Sequence, residues 1–270
     1  MLAHDRPQLM GIVNVTPDSF SDGGHFFFPN AAITHAKRLI DEGANWLDIG
    51  GESSRPGAAP LPEDQELARV LPVLTACTAF GKPISIDTYK PAVMRAAIAH
   101  GAAMINDIWG FRQPGAIEAV AASTVRLCVM HMQRDPQTMQ REPHYDDVVR
   151  EVGDFFAERI AALEAADVAR SRIVLDPGFG FGKTFAHNVA LLQGLESFAR
   201  FGCALLVGVS RKSMIAQMLS SASAADSVER IHGSLAAALF AAERGATILR
   251  VHDVAATRAG LDVWHRLAND

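Results

Sequence analysis

HGSLAAALFAAERGATILRVHDV, residues His232–Val254, is the stretch whose reading decides the fold. Its first part is a long Ala/Leu helix pattern, with Asp226 and Glu229 at capping-box spacing ahead of it. Gly245 stops that helix, because glycine reaches the left-handed backbone that helix ends commonly use. Thr247–Val251 follows after one alanine as an apolar run that carries no polar alternation. A run of this kind suits a strand buried on both faces, as in a parallel sheet whose sides are covered by helices. Arg250 and His252 stand two apart at its end and so point to the same side of the sheet.

The same unit recurs along all 270 residues. Further unalternating runs are Leu9–Val13, Trp46–Ile49, Pro83–Ile86, Ala102–Ile105, Arg126–Met130, Arg172–Leu175 and Cys203–Val209. Helical patterns separate them. Asn30 is placed to cap one whose Ile33, Ala36 and Ile40 form a stripe ending at Gly43, and Pro91 and Gly101 bracket another. Eight strands each followed by a helix predict a TIM-type (β/α)8 barrel spanning 1–270 as one domain, a length that matches the ~250 residues such barrels need. An open doubly wound sheet is the alternative.

The connections are asymmetric. Helix-to-strand links are short, such as Gly43–Ala44, Gly101–Ala102 and Gly245–Ala246. Strand-to-helix links are long and polar, at Asn14–Asn30, Gly50–Asp64, Met132–Tyr145 and Asp176–Ala186. Loop length costs little stability, so the asymmetry marks the working face, which in barrel enzymes is the carboxyl end of the strands. Polar residues collect there: Asn14, Asp87, Asn106, His131, Asp176 and Ser210 close successive runs, and Arg250 and His252 close the last. One such residue would be a cap or a turn; the whole series is better explained by a shared pocket.

Composition narrows the function classes. The net charge of −5 argues against a nucleic-acid surface, so an anionic ligand has to be held by local cations. Cys77, Cys128 and Cys203 form no CxxC pair, which excludes a zinc ribbon or a disulfide framework and fits a reducing cytoplasm. No apolar stretch approaches the ~20 residues of a membrane span, and the first ten residues lack a signal-peptide core.

Five segments carry chemistry. In the loop from Asn14 to Gly24, Asn14 offers an amide oxygen to a hard cation such as Mg2+. In GGESSRPG, from Gly50 to Gly57, Arg55 presents a planar fork suited to phosphate, held between neighbouring Gly and Pro, and Ser54 adds a hydroxyl. DPGFGFGKT, from Asp176 to Thr184, has neither P-loop nor GxGxxG spacing. Asp176 there reads as a buried acceptor for paired N–H donors on a ring edge, with Phe181 flanking the ring and Lys183 as a second donor. In SRKS, from Ser210 to Ser213, Lys212 occupies the position where a nucleophile elbow needs glycine, so Lys212 reads as a positioned cation and Ser210 not as a nucleophile. Arg250 and His252, beside Arg55, would form a cationic clamp, consistent with phosphate sites near the last strands of barrels.

Taken in order, MGIVNVTPDSFSDGG, GGESSRPGA, SIDTYKP, INDIWG, MHMQ, LDPGFGFGK, GVSRKS and the opening stretch closely resemble the bacterial dihydropteroate synthases, from Met10 to Val254. The resemblance implies a transferase of folate biosynthesis that joins a dihydropterin diphosphate to p-aminobenzoate. It implies Asp87, Asn106, Asp176 and Lys212 as pterin ligands, with Met130 and Phe181 near the ring. It implies Asn14, Ser54, Arg55, Arg250 and His252 around the diphosphate with Mg2+ at Asn14, and Phe20, Pro56 and Ser210 around p-aminobenzoate. Arg55, Lys212, Arg250 and His252 would be catalytic. A cytoplasmic homodimer and sensitivity to sulfonamides belong to the same implication. Ser54 replaces the family's usual Thr and keeps its hydroxyl; Arg134 replaces a frequent Gly after MHMQ in a variable loop. A methyltetrahydrofolate:corrinoid methyltransferase would share the barrel but has no use for a diphosphate clamp, and a non-catalytic pterin-binding relative should have lost motif residues.

Overall fold

Parallel pairing runs unbroken around a ring in the computed structural model, which describes residues 6–16, 28–53, 59–219 and 228–269. The strands are β1 Gln8–Asn14, β2 Trp46–Gly50, β3 Ile84–Asp87, β4 Met104–Asp107, β5 Arg126–Met130, β6 Ile173–Asp176, β7 Ala204–Val207 and β8 Ile248–Val251. They pair in sequence order and close, because Met10 of β1 lies opposite Trp46 on one side and Arg250 on the other. Closure excludes the open sheet. The helices are α1 Phe28–Asp41, α2 Glu63–Thr78, α3 Pro91–Ala99, α4 Ala116–Val120, α5 Val148–Glu164, α6 Phe185–Gln193, α7 Ser213–Leu219, α8 Val228–Glu243 and α9 Val254–Asn269.

Each strand falls within two or three residues of the run that predicts it, since a buried strand needs apolar side chains on both faces. One boundary differs. Asn30 does not cap α1, which begins at Phe28; Pro29 then sits in the first turn, where its missing N–H and fixed φ cost nothing.

The barrel interior has two storeys. Met10, Trp46, Met104, Cys128, Val174, Leu206 and Ile248 pack as an apolar floor. Two residues further along the same strands, the inward parity carries Asp48, Asn106, Met130, Asp176 and Arg250, with Asp87 opposite Asn106. The outward residues, such as Leu47, Ile49, Ile86, Ile105 and Leu175, pack under the helices in a second apolar layer. Burying each side chain of that size contributes ~1.5–3 kcal/mol, so the outer layer stabilises the shell and leaves the upper interior free to be polar.

Candidate active site at the carboxyl end of the barrel

Arg250 ties the upper storey together. Its Nε donates to Asp48 Oδ2 at 2.6 Å and a terminal nitrogen donates to Asp87 Oδ2 at 3.2 Å. Burial alone would weaken the guanidinium's hold on its proton, but Asp48 and Asp87 outweigh it and keep Arg250 firmly charged. Asp87 pays for the crowding: burial, then the negative charge of Asp48, push it up to about 7. Asn106, next to Asp87 across the sheet, buries its side-chain oxygen with no hydrogen-bond partner. A buried acceptor left open in a native barrel points to a ligand-facing role.

The β6–α6 connection forms the opposite wall. Asp176 accepts from Gly178 N at 2.8 Å. Gly178 has φ +67, and a Cβ there would lie 1.9 Å from His131 O, so only glycine fits. Every carbonyl from Gly178 to Gly182 is held by a side chain. Lys183 Nζ takes Gly178 O and Phe181 O at 3.0 Å each, Gln140 takes Gly180 O at 2.5 Å, and Tyr145 takes Gly182 O at 2.9 Å. Lys212 Nζ donates to Phe179 O and stands 4.5 Å from the centre of the Phe181 ring. Lys183 is therefore not the free second donor expected from the motif. It is 4 % exposed, turned into the loop and bonded also to His131 Nδ1 at 2.9 Å. Burial lowers Lys212 to about 8, with Asp176 opposing, and burial raises Asp176, with Lys212 opposing.

Ser210 lies beyond the end of β7 and takes the backbone N–H of His252 at 3.2 Å; its Oγ is 3.1 Å from His252 Nδ1. With the hydroxyl hydrogen assigned to that ring nitrogen, His252 carries its own hydrogen on Nε2. Burial, then Arg250 and Arg211, lower His252 to about 4, so the ring is neutral at pH 7. The pair is thus not the two-charge clamp expected from spacing: Arg250 already has carboxylate partners, and His252 offers an N–H, not a charge. Arg211 is paired with Asp253 at 2.5 Å.

Asn14 projects from the exposed end of β1. Among the described residues no group of three or more His, Cys, Asp or Glu side chains is placed to hold a metal. A cation here would draw most of its ligands from water and a substrate's phosphates, which is how Mg2+ is commonly bound; a single amide oxygen at the rim fits that donor set. Phe20, Ser54, Arg55 and Pro56 lie outside the described residues.

Two groups escaped the sequence reading. Asp48 is fully buried within Trp46–Gly50, and a lone charge inside an otherwise apolar strand was the available signal. Glu52, just after β2, is held by Tyr89 OH at 3.1 Å and by Lys90, which also bonds Glu66 of α2. That network anchors the chain just beyond β2, and it is invisible locally because its members come from three parts of the fold.

Cavity size does not select the site. A cavity of about 390 Å³ between α4 and α5 lies away from these residues, whereas one of about 380 Å³ borders His252 and Arg211 at the rim. Convergence of buried acceptors and cations is the stronger criterion. It places the site at the carboxyl end of the strands, the working face of an α/β-barrel enzyme.

Comparison with known proteins carries this to a family. Residues 10–252 match the pterin-binding enzymes. The dihydropteroate synthase of Escherichia coli K12 is 51 % identical over 253 residues, covering 93 % of this chain and 88 % of that protein. The Xanthomonas albilineans dihydropteroate synthase solved with 4-aminobenzoic acid is 52 % identical with a TM-score of 0.90, covering 97 % of this chain and 93 % of that one. A structure of the Xanthomonas albilineans enzyme with 7,8-dihydropteroate is 49 % identical with a TM-score of 0.87, covering 98 % and 95 %. The chain belongs to the pterin-binding enzyme family and, within it, to the dihydropteroate synthases. The corrinoid methyltransferase alternative finds no support among these relatives.

Proposed function

We propose that this protein condenses (7,8-dihydropterin-6-yl)methyl diphosphate with p-aminobenzoate to give 7,8-dihydropteroate and diphosphate. The observation that carries the reading is the convergence of Asp87, Asn106, Asp176, Lys212 and Arg250 in the upper storey of the barrel. Carboxylates and an amide oxygen at Asp87, Asn106 and Asp176 match the N–H-rich edge of a pterin, and Lys212 supplies a donor for its ring acceptors. Met130 and Phe181 would flank the ring, with Lys212 already close to the Phe181 face.

The reaction breaks the bond between the pterin methylene carbon and a diphosphate oxygen, and forms a carbon–nitrogen bond to the aryl amine, which then gives up a proton. Departure of the diphosphate is the demanding step. Arg250, the His252 N–H, Ser54 and Arg55 would hold that anion and stabilise the charge that grows on it. Mg2+ on Asn14 and the diphosphate would neutralise further charge on the leaving group. Electron release from the pterin favours an SN1-like displacement, and an amine that is already nucleophilic needs no strong general base. Phe20, Pro56 and Ser210 would seat p-aminobenzoate, where a sulfonamide would compete.

A cytoplasmic homodimer belongs to the same reading. Among the described residues no helix is long and apolar enough to cross a membrane.

The test is release of diphosphate from the dihydropterin substrate, dependent on p-aminobenzoate and Mg2+. Turnover is expected with both substrates and none without p-aminobenzoate; tight pterin binding without turnover would overturn the enzymatic reading. Arg55→Ala and His252→Ala are each expected to lower kcat more than ~10-fold at saturating p-aminobenzoate, about 1.4 kcal/mol of transition-state stabilisation.

A further inference from the structure

We infer that Asp48 is a positioning residue for Arg250: it retains the guanidinium while the arginine releases Asp87 to the incoming pterin. The inference rests on the reading of Asp87 as a pterin acceptor.

The geometry divides the two carboxylates by depth and by grip. Asp48 lies two residues below the end of β2, against the apolar floor that includes Trp46, and its side chain is 0 % exposed. Asp87 is the last residue of β3, opposite Gly50 and Asn106, with 16 % of its side chain exposed, and Arg250 is 20 % exposed. A ligand entering from the rim meets Asp87 and the outer guanidinium nitrogen before it can reach Asp48. The inner contact is also the shorter, 2.6 Å against 3.2 Å, and charge-assisted bonds of that length are the strong ones.

While Arg250 occupies its Oδ2, Asp87 has only Oδ1 to offer a pterin, and accepting paired N–H donors takes both carboxylate oxygens. Releasing it would strand a buried positive charge if Asp87 were the only partner, and buried charges lacking partners are strongly destabilising. A planar fork solves this, because its Nε and terminal nitrogen engage different acceptors. With Nε held by Asp48, the terminal nitrogen can leave Asp87 and turn toward the ligand without the guanidinium losing its counter-charge.

The groups facing Asp87 are Asp48 on β2, Glu66 on α2, Asp107 on β4, Lys212 beyond β7 and Arg250 on β8. Replacing Asp48 by Asn keeps its shape, removes one like charge and leaves Asp87 as the carboxylate hydrogen-bonded to Arg250, with Asp176 acting on it only through space. Two effects follow with separate signatures. Asp87 is locked to Arg250, which weakens pterin binding where Asp87 is ionised. Asp87 also becomes easier to ionise, which moves the acid limb of binding to lower pH.

The experiment is calorimetry of 6-hydroxymethyl-7,8-dihydropterin against the full-length protein from pH 5.5 to 8.5, with steady-state kinetics. For Asp48→Asn we expect at least tenfold weaker pterin binding at pH 8, an acid limb at least half a pH unit lower, and a KM for p-aminobenzoate within twofold of wild type. Wild-type affinity with an unmoved limb overturns the inference, and so does a uniform loss with the limb in place, which would be a merely structural role. If Asp48→Asn does not fold, Asp48→Ser provides the same comparison, because serine also removes the charge while keeping an acceptor. Asp87→Asn separates the two layers of the argument. Weak pterin binding there with an unaffected Asp48→Asn removes only the Asp48 inference, whereas wild-type binding in Asp87→Asn removes the underlying reading as well.

Discussion

Replacing Lys183 with methionine tests whether the β6–α6 wall is held from behind. Lys183 Nζ bonds Gly178 O and Phe181 O at 3.0 Å and His131 Nδ1 at 2.9 Å from a nearly fully buried position. Methionine fills similar volume but donates nothing. Gly178 O keeps the Phe181 N–H at 3.1 Å, so it stays satisfied. Phe181 O and His131 Nδ1 lose their partner, and the His131 ring is packed 5.0 Å from the Phe155 ring centre, away from solvent. Each buried group left unsatisfied costs ~1–3 kcal/mol, or ~2–6 for the two. Relief from desolvating the amine, which burial pushes well below its ordinary pKa, offsets part of that. The expected net destabilisation is about 2–4 kcal/mol. Urea unfolding should show it as a lower midpoint at unchanged slope, and pterin affinity should fall because Phe181 rides on that loop and Asp176 ends the strand from which it springs. A midpoint shift equivalent to less than ~0.5 kcal/mol would refute the claim that Lys183 holds the wall.

Other substitutions probe separate parts of the reasoning. Gly178→Ala forces a left-handed backbone and a Cβ 1.9 Å from His131 O, so it is expected to cost on the order of 3–5 kcal/mol or to yield insoluble protein; a soluble variant with wild-type thermal stability would contradict that geometry. Arg172 donates to Val120 O, Ala121 O and Val125 O at 2.9–3.1 Å and so caps the carboxyl end of α4; Arg172→Ala is expected to lose ~2–3 kcal/mol in urea unfolding, and no loss would show that water replaces the cap. The pH dependence of pterin binding follows from Asp87, whose pKa is raised to about 7, by burial first and Asp48 second. The ligand's N–H donors select the ionised form, so affinity is full above about pH 7 and falls as pH drops through it, by up to ~10-fold per unit; a flat profile between pH 8 and 5.5 would exclude Asp87 as the acceptor.

Much of this protein was legible in the chain because the signals are local. A doubly covered strand must be apolar throughout, and a helix must stop where glycine or proline stops it, so the runs ending at Val13, Met130 and Val251 could be read directly. The polar residues beyond them could be located for the same reason: period two places Arg250 and His252 on one side whatever surrounds them. Their electrostatic state could not be read, because charge and protonation depend on neighbours distant in sequence. Arg250 meets Asp48 and Asp87 across 202 and 163 residues, which turns an expected free cation into the centre of a carboxylate network. His252 stays neutral down to about pH 4 because burial, then Arg250 and Arg211, disfavour its charged form. Lys183 turns inward because the loop brings Gly178 O, Phe181 O and His131 together around it, and no motif spacing encodes that meeting. By itself the sequence determined which residues reach the mouth of the barrel, since strand period and strand ends are short-range properties. Only the tertiary structure decided what each of them is bonded to and charged as, since closing the ring brings those residues together in a shared, desolvated interior.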